Sequence, residues 1–328
     1  MAIRRLCQIR LKQEAPITGE EHSEDPTYRE FLDSLHDGPI APVPEAANRQ
    51  HYELPPEFFE AVLGPRQKYS CCFYPREDAT LAEAETAALA ITCERADLAD
   101  GQEILELGCG WGSLSLWMAE RYPGSRITAV SNSVPQRRYI DARATKRGLD
   151  NLRVISADMN DFSPGTLNFD RIVSVEMFEH MRNYERLLHN IAGWLRPGGK
   201  LFVHIFCHRN MAYPFETEGA TNWMGRHFFT GGVMPSANLL HQFPRDLAVA
   251  EQHSWNGTHY RRTADDWLAN LDARRDEVID ILSRVYGESD ARRWLYRWRV
   301  FFLAVSELFG FNHGEEWFVS HYVLQHAH

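Results

Sequence analysis

The stretch Glu103-Ile104-Leu105-Glu106-Leu107-Gly108-Cys109-Gly110-Trp111-Gly112 decides the fold. Its first five residues are mostly apolar and predict a short buried strand, and the glycines that follow predict a tight turn. Residues 113–121 then carry enough apolar side chains for a helix. A glycine-rich turn between a strand and a helix lets the backbone approach a ligand closely, with the amide groups of the helix start facing it.

Strands and helices continue to alternate after this turn. The expected strands are 103–107, 126–130, 152–156, 169–175, 200–206, one ending near Trp255, and 317–324. The expected helices are 78–99, 113–121, 135–147, 184–195 and a long helical stretch over 263–309. This alternation predicts an α/β fold with a Rossmann-like, mostly parallel seven-stranded sheet and helices on both faces.

Three regions are expected along the chain. Residues 1–50 are rich in Glu, Pro and Asp and predict a partly irregular N-terminal arm. Residues 51–206 should form an N-terminal cover and the Rossmann-like core, and residues 207–328 a helical cap insertion with the last strands. Helices inserted between the last two strands would cover the carboxyl ends of the sheet, where ligands bind in open α/β folds.

The composition limits the partners of the protein. It has 35 Lys and Arg residues against 45 Asp and Glu residues, a net charge of −10, so no basic field attracts nucleic acid or an anionic membrane. Neither an apolar run of about 18 residues nor a secretory leader is evident. We expect a cytoplasmic protein without stable membrane association, whose state as monomer or homodimer stays open. Its six cysteines form no Cys-x-x-Cys pair, which favours reduced thiols.

The acidic residue ahead of the glycines indicates which ligand the turn binds. Glu106 can pair with the amino group of a ligand, whereas it would repel the pyrophosphate of a dinucleotide. The zwitterionic methionine end of S-adenosylmethionine fits this position better. We therefore expect Glu106, Gly108 and Gly110 to contact S-adenosylmethionine, with S-adenosylhomocysteine as the product; the alternative is a tight turn without a ligand.

Polar and apolar residues at the ends of the next strands extend this expected site. They fall where the ribose and adenine of such a cofactor would lie, and the fourth strand ends at the same edge. The expected contacts there are Asn132, Gln136, Asp158, Met159 and Val175. The alternatives are plain helix capping by residues 131–133 before Pro135, and a loop cap by Asp158.

The fourth strand runs into Val175-Glu176-Met177-Phe178-Glu179-His180-Met181, which brings two carboxylates and an imidazole to the carboxyl end of the sheet. Methyl transfer from a sulfonium needs a lone pair on the nucleophile, and a base supplies it by removing a proton. We expect Glu176, Glu179 and His180 to be catalytic. No metal is expected, because no further ligand residue stands at a suitable spacing. Helix capping is the alternative for any single one of the three.

With these residues laid out, the sequence resembles the coclaurine N-methyltransferase family and, more distantly, the cyclopropane fatty acid synthases, from about residue 50 to the end. The resemblance implies a class I methyltransferase fold and S-adenosylmethionine-dependent N-methylation of a small amine, of which cyclic and aromatic amines are candidates. The matching pieces are Tyr69-Ser70-Cys71-Cys72-Phe73, Cys93-Glu94-Arg95-Ala96, Gly108-Cys109-Gly110-Trp111-Gly112, Ala129-Val130-Ser131-Asn132-Ser133, Glu176-Met177-Phe178-Glu179-His180-Met181, Phe206-Cys207-His208, Pro235-Ser236 and Gly314-Glu315-Glu316-Trp317.

The resemblance also implies roles for residues outside the core motifs. Tyr69 and Ser70 would contact the cofactor from an N-terminal segment that folds over it. Cys71, Trp298 and Phe301 would lie at the substrate, with burial in the core as the alternative for each. The glutamate and histidine set would bind the amine and accept its proton.

Two other hypotheses stay open, and the first is a bicarbonate-dependent enzyme that acts on a lipid alkene. Cyclopropane synthases use a bicarbonate base, held partly by residues that match Cys71, Glu179 and His180. They usually carry glycine or another small residue where this chain has Glu176. Glu176 therefore favours an N-methyltransferase over lipid alkene chemistry, as does the lack of a basic amphipathic helix. Arg297 stands where the plant enzymes carry tyrosine, so the substrate need not be an isoquinoline. The third hypothesis is a cofactor-binding protein without catalysis.

Overall fold

The computed structural model describes residues 2–14, 26–43, 54–219 and 222–327. Nine strands lie within these residues, seven of them in one sheet and two in a small antiparallel sheet. They are β1 (Glu103–Leu107), β2 (Arg126–Ser131), β3 (Leu152–Ser156), β4 (Phe169–Val175), β5 (Leu195–His208), β6 (Tyr213–Pro214), β7 (Val233–Met234), β8 (Leu247–Trp255) and β9 (Trp317–His326).

The large sheet has the strand order β3-β2-β1-β4-β5-β9-β8. The first five strands in this order are parallel to one another, and β9 is antiparallel to both of its neighbours. The expected mostly parallel, seven-stranded sheet is therefore confirmed. Because parallel strands end at the same edge, the segments after β1, β2, β3 and β4 meet there.

Eleven α-helices lie within the described residues, and helices cover both faces of the sheet. They are α1 (Ala2–Glu14), α2 (Pro26–Asp33), α3 (Pro56–Val62), α4 (Leu81–Arg95), α5 (Ser113–Arg121), α6 (Val134–Arg147), α7 (Tyr184–Trp194), α8 (Trp223–His227), α9 (Thr258–Ala273), α10 (Arg275–Tyr286) and α11 (Glu288–Phe309). Ile104 of β1 packs in one cluster with α4 and α5, whereas its neighbour Leu105 packs with α7. Alternate residues of one strand thus face two helical layers.

Local sequence signals set the ends of the core helices. Thr80 and Glu83 form a capping box at the start of α4. The side chain of Ser133 accepts a hydrogen bond from the amide of Gln136 at the start of α6, and Gly148 ends that helix at a φ of 66°. Capping is therefore one role of the segment after β2.

The structure corrects several expected boundaries. The helical stretch 263–309 is three helices, α9 to α11, and it begins earlier, at Thr258; Gly287, at a φ of 81°, separates the last two. The strand expected at 200–206 already begins at Leu195, because Leu195 pairs with Phe169 ahead of an irregularity in the ladder. The helix expected at 78–99 is limited to α4.

The N-terminal region contains more helix than the sequence suggested. Within the expected arm, α1 and α2 are helical, and residues 15–25 and 44–53 lie outside the described residues. Helix α1 contacts α11, while α3 contacts α9 and α10. In the part of the chain that the structure describes, no helix is long and apolar enough to cross a bilayer.

A glycine between β8 and α9 fixes how the cap joins the sheet. A Cβ added to Gly257 would lie 2.1 Å from the carbonyl oxygen of Trp317 and 2.4 Å from that of Phe309, both backbone atoms. We expect Gly257→Ala to lower the free energy of unfolding by about 2 kcal/mol or more, as overpacking does. Chemical denaturation measures this change.

Gly193 in α7 is the matched control. A Cβ at this position meets no heavy atom within 4 Å, so Gly193→Ala should leave stability unchanged or raise it by up to about 1 kcal/mol. Equal stability of the two variants would contradict the packing described for the junction.

Candidate active site

The glycine-rich turn after β1 forms the base of the site. Glu106, the fourth residue of β1, is buried and accepts a hydrogen bond from the hydroxyl of Ser115 in α5. Burial raises the pKa of the Glu106 carboxyl to about 8. Gly112 has a φ of 79°, and a Cβ there would lie 2.6 Å from Cγ1 of Ile140, so only glycine fits.

Two adjoining cavities form a cleft along the carboxyl ends of the parallel strands, and they share Gly108, Gly110 and Glu176 in their walls. The larger one has a volume of about 730 Å³. All the cofactor contacts expected from the sequence line this cleft: Tyr69, Ser70, Glu106, Gly108, Gly110, Asn132, Gln136, Asp158, Met159 and Val175. The structure therefore brings these residues together around one space.

The chemistry of the cleft fits the expected cofactor. Glu106 presents its carboxyl group to an amino group at one end, and Asp158 lies beside the apolar Met159 at the other. Gln136 is buried, and its side-chain Nε2 has no hydrogen-bond partner among the described residues. An unpaired buried amide in the wall of a cleft is suited to a ligand hydroxyl such as that of a ribose.

A buried lysine holds the segment that covers the cleft. Lys68 Nζ donates hydrogen bonds to Ser70 Oγ and to the carbonyl oxygen of Cys71, both at 2.6 Å. Glu85 of α4 accepts hydrogen bonds from the amides of Arg66 and Lys68. The segment before Cys71 is thereby fixed over the turn, and the ammonium group of Lys68 lies within this segment.

Glu176 is the most constrained residue of the site. Its φ is 48°, in the left-handed region that costs a non-glycine residue about 1 kcal/mol. Its Oε1 accepts a hydrogen bond from the amide of Cys71 at 2.9 Å and lies 3.2 Å from Nε2 of His204, and its Oε2 accepts one from the Tyr260 hydroxyl at 2.7 Å. Burial raises the pKa of this carboxyl, and the charge of Lys68 opposes that rise.

Glu179 and His180 differ in their access to the cleft. His180 lines the cleft and stacks on Phe229, with ring centroids 5.6 Å apart. Burial lowers its pKa to about 4, so the imidazole is neutral at pH 7. Glu179 is fully buried behind it and accepts a hydrogen bond from the amide of Phe206. Burial and the charge of Glu176 hold the pKa of Glu179 well above its usual range.

A separate, apolar cavity of about 1270 Å³ lies against α1, the small β6–β7 sheet and α11. Phe301, which the resemblance places at the substrate, lines it. Trp298 and Cys71 are not in its wall. Trp298 is buried among the rings of Phe58 and Phe228, and Cys71 reaches the site through its backbone amide. The core alternative therefore describes these two residues better than substrate contact does.

Sequence analysis missed three residues that contact the site. They are Lys68, Tyr260 and His204. His204 interrupts an apolar strand, a signal that could have drawn attention to it, since a buried histidine in a strand needs a partner. Tyr260 gave no local signal, because α9 brings it to Glu176 across 84 residues of sequence.

The comparisons with known proteins agree with this geometry. Residues 43–309 match the family described as Mycolic acid cyclopropane synthetase. The chain is 39% identical to the (S)-coclaurine N-methyltransferase of Thalictrum flavum subsp. glaucum, over 89% of this chain and 82% of that protein. It is 30% identical to the Cyclopropane-fatty-acyl-phospholipid synthase of Escherichia coli (strain K12), over 76% of this chain and 61% of that protein.

A solved structure adds a likeness in three dimensions. The crystal structure of coclaurine N-methyltransferase bound to N-methylheliamine and S-adenosylhomocysteine superposes with a TM-score of 0.94 at 37% identity. The match covers 99% of this chain and 93% of that one.

The sheet, the cleft and these likenesses define the protein as an S-adenosylmethionine-dependent methyltransferase. The chain belongs to the mycolic acid cyclopropane synthetase family and, within it, resembles the coclaurine N-methyltransferases.

The raised pKa of Glu106 predicts a linkage between cofactor binding and proton release. Below about pH 8 the carboxyl is protonated in the free protein, and an ammonium partner favours its ionised form. We expect S-adenosylhomocysteine binding at pH 7 to release a proton and its affinity to rise with pH toward 8. Calorimetry in two buffers of different ionisation enthalpy measures the released proton.

Substitutions on the same strand separate this effect from general damage. Glu106→Gln should weaken S-adenosylhomocysteine binding at least tenfold and abolish the proton release, since a charged hydrogen bond contributes about 1.5–3 kcal/mol. Glu103→Gln, at the other end of β1 and ion-paired with Arg126, serves as the control and should bind normally. Unchanged affinity of the Glu106 variant would remove the proposed amino-group site.

Proposed function

We propose that the protein transfers a methyl group from S-adenosylmethionine to the nitrogen of a small, hydrophobic, cyclic or aromatic amine. The observation that carries this proposal is the contact between the polar cleft and the apolar cavity. Tyr260 lines the apolar cavity, and its hydroxyl donates a hydrogen bond to Glu176, which lines the cleft. Phe229 lines the same cavity and stacks on His180. The carboxyl of Glu176 and the imidazole of His180 thus lie where an amine in the cavity would meet the cofactor.

The cavity lining favours an apolar substrate body. Its wall contains aromatic side chains from several elements, and Arg10 is the one charged residue among the described lining residues. Flat aromatic walls bury apolar rings well and attract cations through their π faces. This lining supports a cyclic or aromatic amine over a highly polar one, and the alkaloid substrates named for the relatives agree with that choice.

Glu176 and His180 are the proposed proton-accepting groups. Bound S-adenosylmethionine supplies an electrophilic methyl group, and the amine must present a lone pair to it. His180 is neutral at pH 7, so one of its ring nitrogens carries a lone pair that can accept a proton. The Glu176 carboxyl, whose pKa burial raises, is a stronger base than an ordinary carboxylate and is suited to take and return a proton. Both line the cleft.

Glu179 is proposed as a positioning residue. It is fully buried and lines neither cavity, so it does not reach the substrate directly. Its hydrogen bond to the amide of Phe206 ties the segment after β4 to β5. Since Glu179 immediately precedes His180, this contact fixes where the imidazole stands.

The cofactor would be held by the residues of the cleft. Glu106 is proposed to bind the amino group, Tyr69 and Ser70 to cover the methionine end, and Gln136 to bind the ribose. Asp158 and Met159 are proposed to bind the adenine through its amino group and its ring face. A cytoplasmic location and a homodimer stay predictions.

The bicarbonate-dependent alternative has less support. In that chemistry a bicarbonate lies at the residue that matches Cys71, but here the Cys71 amide already donates to the carboxylate of Glu176. Greater identity to a coclaurine N-methyltransferase than to a cyclopropane synthase points the same way. A cofactor-binding protein without catalysis would need neither Glu176 nor His180 in the wall of the cleft.

A substrate panel tests the proposed function. We expect S-adenosylhomocysteine release with hydrophobic secondary or tertiary cyclic amines, and none with unsaturated phospholipid vesicles, with or without added bicarbonate. Bicarbonate-dependent turnover on the vesicles, with no turnover on amines, would establish the alternative instead.

Substitution of the two proton acceptors should separate catalysis from binding. Glu176→Gln and His180→Ala are each expected to lower kcat by about 100-fold or more, because general bases contribute about 10²- to 10⁴-fold. The dissociation constant of S-adenosylhomocysteine should stay within about twofold of that of the parent protein. His189→Ala, an exposed histidine of α7 outside both cavities, is the control and should be fully active. Parental rates for both site variants would refute the base assignment.

A further inference from the structure

A chain of side chains in hydrogen-bond contact runs from Arg95, at the end of helix α4, to the carboxylate of Glu176. Nη1 of Arg95 lies 2.8 Å from Nδ1 of His321, and Nε2 of His321 lies 2.9 Å from Nδ1 of His204. Nε2 of His204 then lies 3.2 Å from Oε1 of Glu176. Both histidines are 0% exposed, so their mutual contact lies inside the protein, whereas the Arg95 side chain is half-buried.

The sheet itself creates this chain. His204 of β5 and His321 of β9 are directly opposite in the antiparallel register, so their side chains project from the same face. Trp255 of β8 packs its ring against both imidazoles, with centroids 5.2 and 4.4 Å away, and the guanidinium of Arg95 lies 5.9 Å from the same ring. The tryptophan covers the chain and keeps it in place.

Elementary donor and acceptor rules fix the direction of every hydrogen bond in the chain. A guanidinium only donates, so Nδ1 of His321 accepts and its Nε2 carries the hydrogen. Nδ1 of His204 must then accept, which leaves the hydrogen of His204 on Nε2, pointing at Glu176. Burial and nearby positive charges hold the pKa of both imidazoles well below its usual range, so each is neutral and has one N–H.

We propose that Arg95, His321 and His204 are positioning residues. Their hydrogen bonds, which all run in one direction, keep Oε1 of Glu176 a hydrogen-bond acceptor. The proton taken from the substrate is thereby directed to Oε2. Oε1 receives two donors, the amide of Cys71 and Nε2–H of His204. Oε2 has the Tyr260 hydroxyl as its partner, which can either donate or accept. This inference rests on the proposed function of Glu176.

The proton step balances on this arrangement. The N–H bond of the substrate ammonium breaks, its electron pair stays on nitrogen as the lone pair, and the proton forms a new O–H bond at Oε2. The Tyr260 hydroxyl then turns from donor to acceptor. The proton cannot leave through His204, because its Nε2 already carries a hydrogen and its Nδ1 accepts from His321. It must leave on the side of the cavity that Tyr260 lines.

Nitrogen-15 NMR of the two histidines tests the direction of the chain without any turnover. In the full-length protein at pH 7, His204 and His321 should both appear as neutral imidazoles with the hydrogen on Nε2. The variants His204→Gln and His321→Gln assign the two signals by their loss. A hydrogen on Nδ1, or a doubly protonated ring, at either residue would overturn the proposal. Because no substrate is needed, this result is independent of whether the proposed amine methylation is correct.

Kinetics of paired substitutions at Arg95 test its effect on Glu176. Arg95→Met removes the donor that sets the tautomers, whereas Arg95→Lys keeps one. With the donor lost, the pKa of Glu176 should rise. The acidic limb of the pH profile of kcat should therefore move to higher pH, and kcat at a fixed pH on this limb should fall about tenfold. In the lysine variant, both the position of the acidic limb and the value of kcat should be close to those of the parent protein. S-adenosylhomocysteine affinity should change in neither.

The other groups that face Glu176 are the same in both variants, namely Lys68, Cys71, His180, Glu179, Tyr260 and His204. His326→Gln is the matched control, since His326 lies on the same strand as His321 but contacts the carbonyl oxygen of Ala192. Methionine and lysine variants with identical pH profiles would overturn the proposal, as would an equal shift in the His326 variant.

Discussion

The carboxylate of Glu176 joins three parts of the chain that are far apart in sequence. The Cys71 amide reaches it from the N-terminal cover, the His204 side chain from β5, and the Tyr260 hydroxyl from the first cap helix. The residue adopts a left-handed backbone conformation to receive them. Strained backbone of this kind persists where the surroundings over-determine it, which is typical of functional sites. Cleft, cover and cap therefore depend on this one group.

Burial shifts the pKa values of the acid and base groups of the site in opposite directions. It raises the pKa of the Glu176 carboxyl and lowers the pKa of the His180 imidazole, so that both are pushed toward their neutral forms. A carboxylate whose charged form is disfavoured binds a proton more strongly than an ordinary carboxylate, which favours removal of a proton from a bound ammonium. The aromatic wall formed by Phe229 and Tyr260 supplies this low-dielectric environment.

Much of this arrangement could be predicted from the sequence because it depends on local pattern. The strand, turn and helix around Gly108 to Gly112 and the polar residues at strand ends follow from periodicity and from glycine geometry. A parallel sheet then brings those ends together without further information. The position of Glu179 behind His180 did not follow, since neighbouring residues at a strand end can face either the cleft or the core.

What escaped prediction depends on contacts between distant segments. Tyr260 meets Glu176 only through the packing of the cap, and His321 meets His204 only because β9 inserts beside β5 in antiparallel register. Trp298 matched a family position, yet aromatic packing with Phe58 and Phe228 takes it into the core. Such pairings are set by tertiary structure, and no local signal in one sequence specifies them.

A crystal structure of the protein with S-adenosylhomocysteine and a methylated amine tests the central claim most directly. We predict that the cofactor lies along the strand ends and that the amine nitrogen lies about 3 Å from Glu176 Oε2 or from an imidazole nitrogen of His180, within hydrogen-bond reach. An amine nitrogen at the α1 end of the apolar cavity, without contact to either residue, would contradict the account.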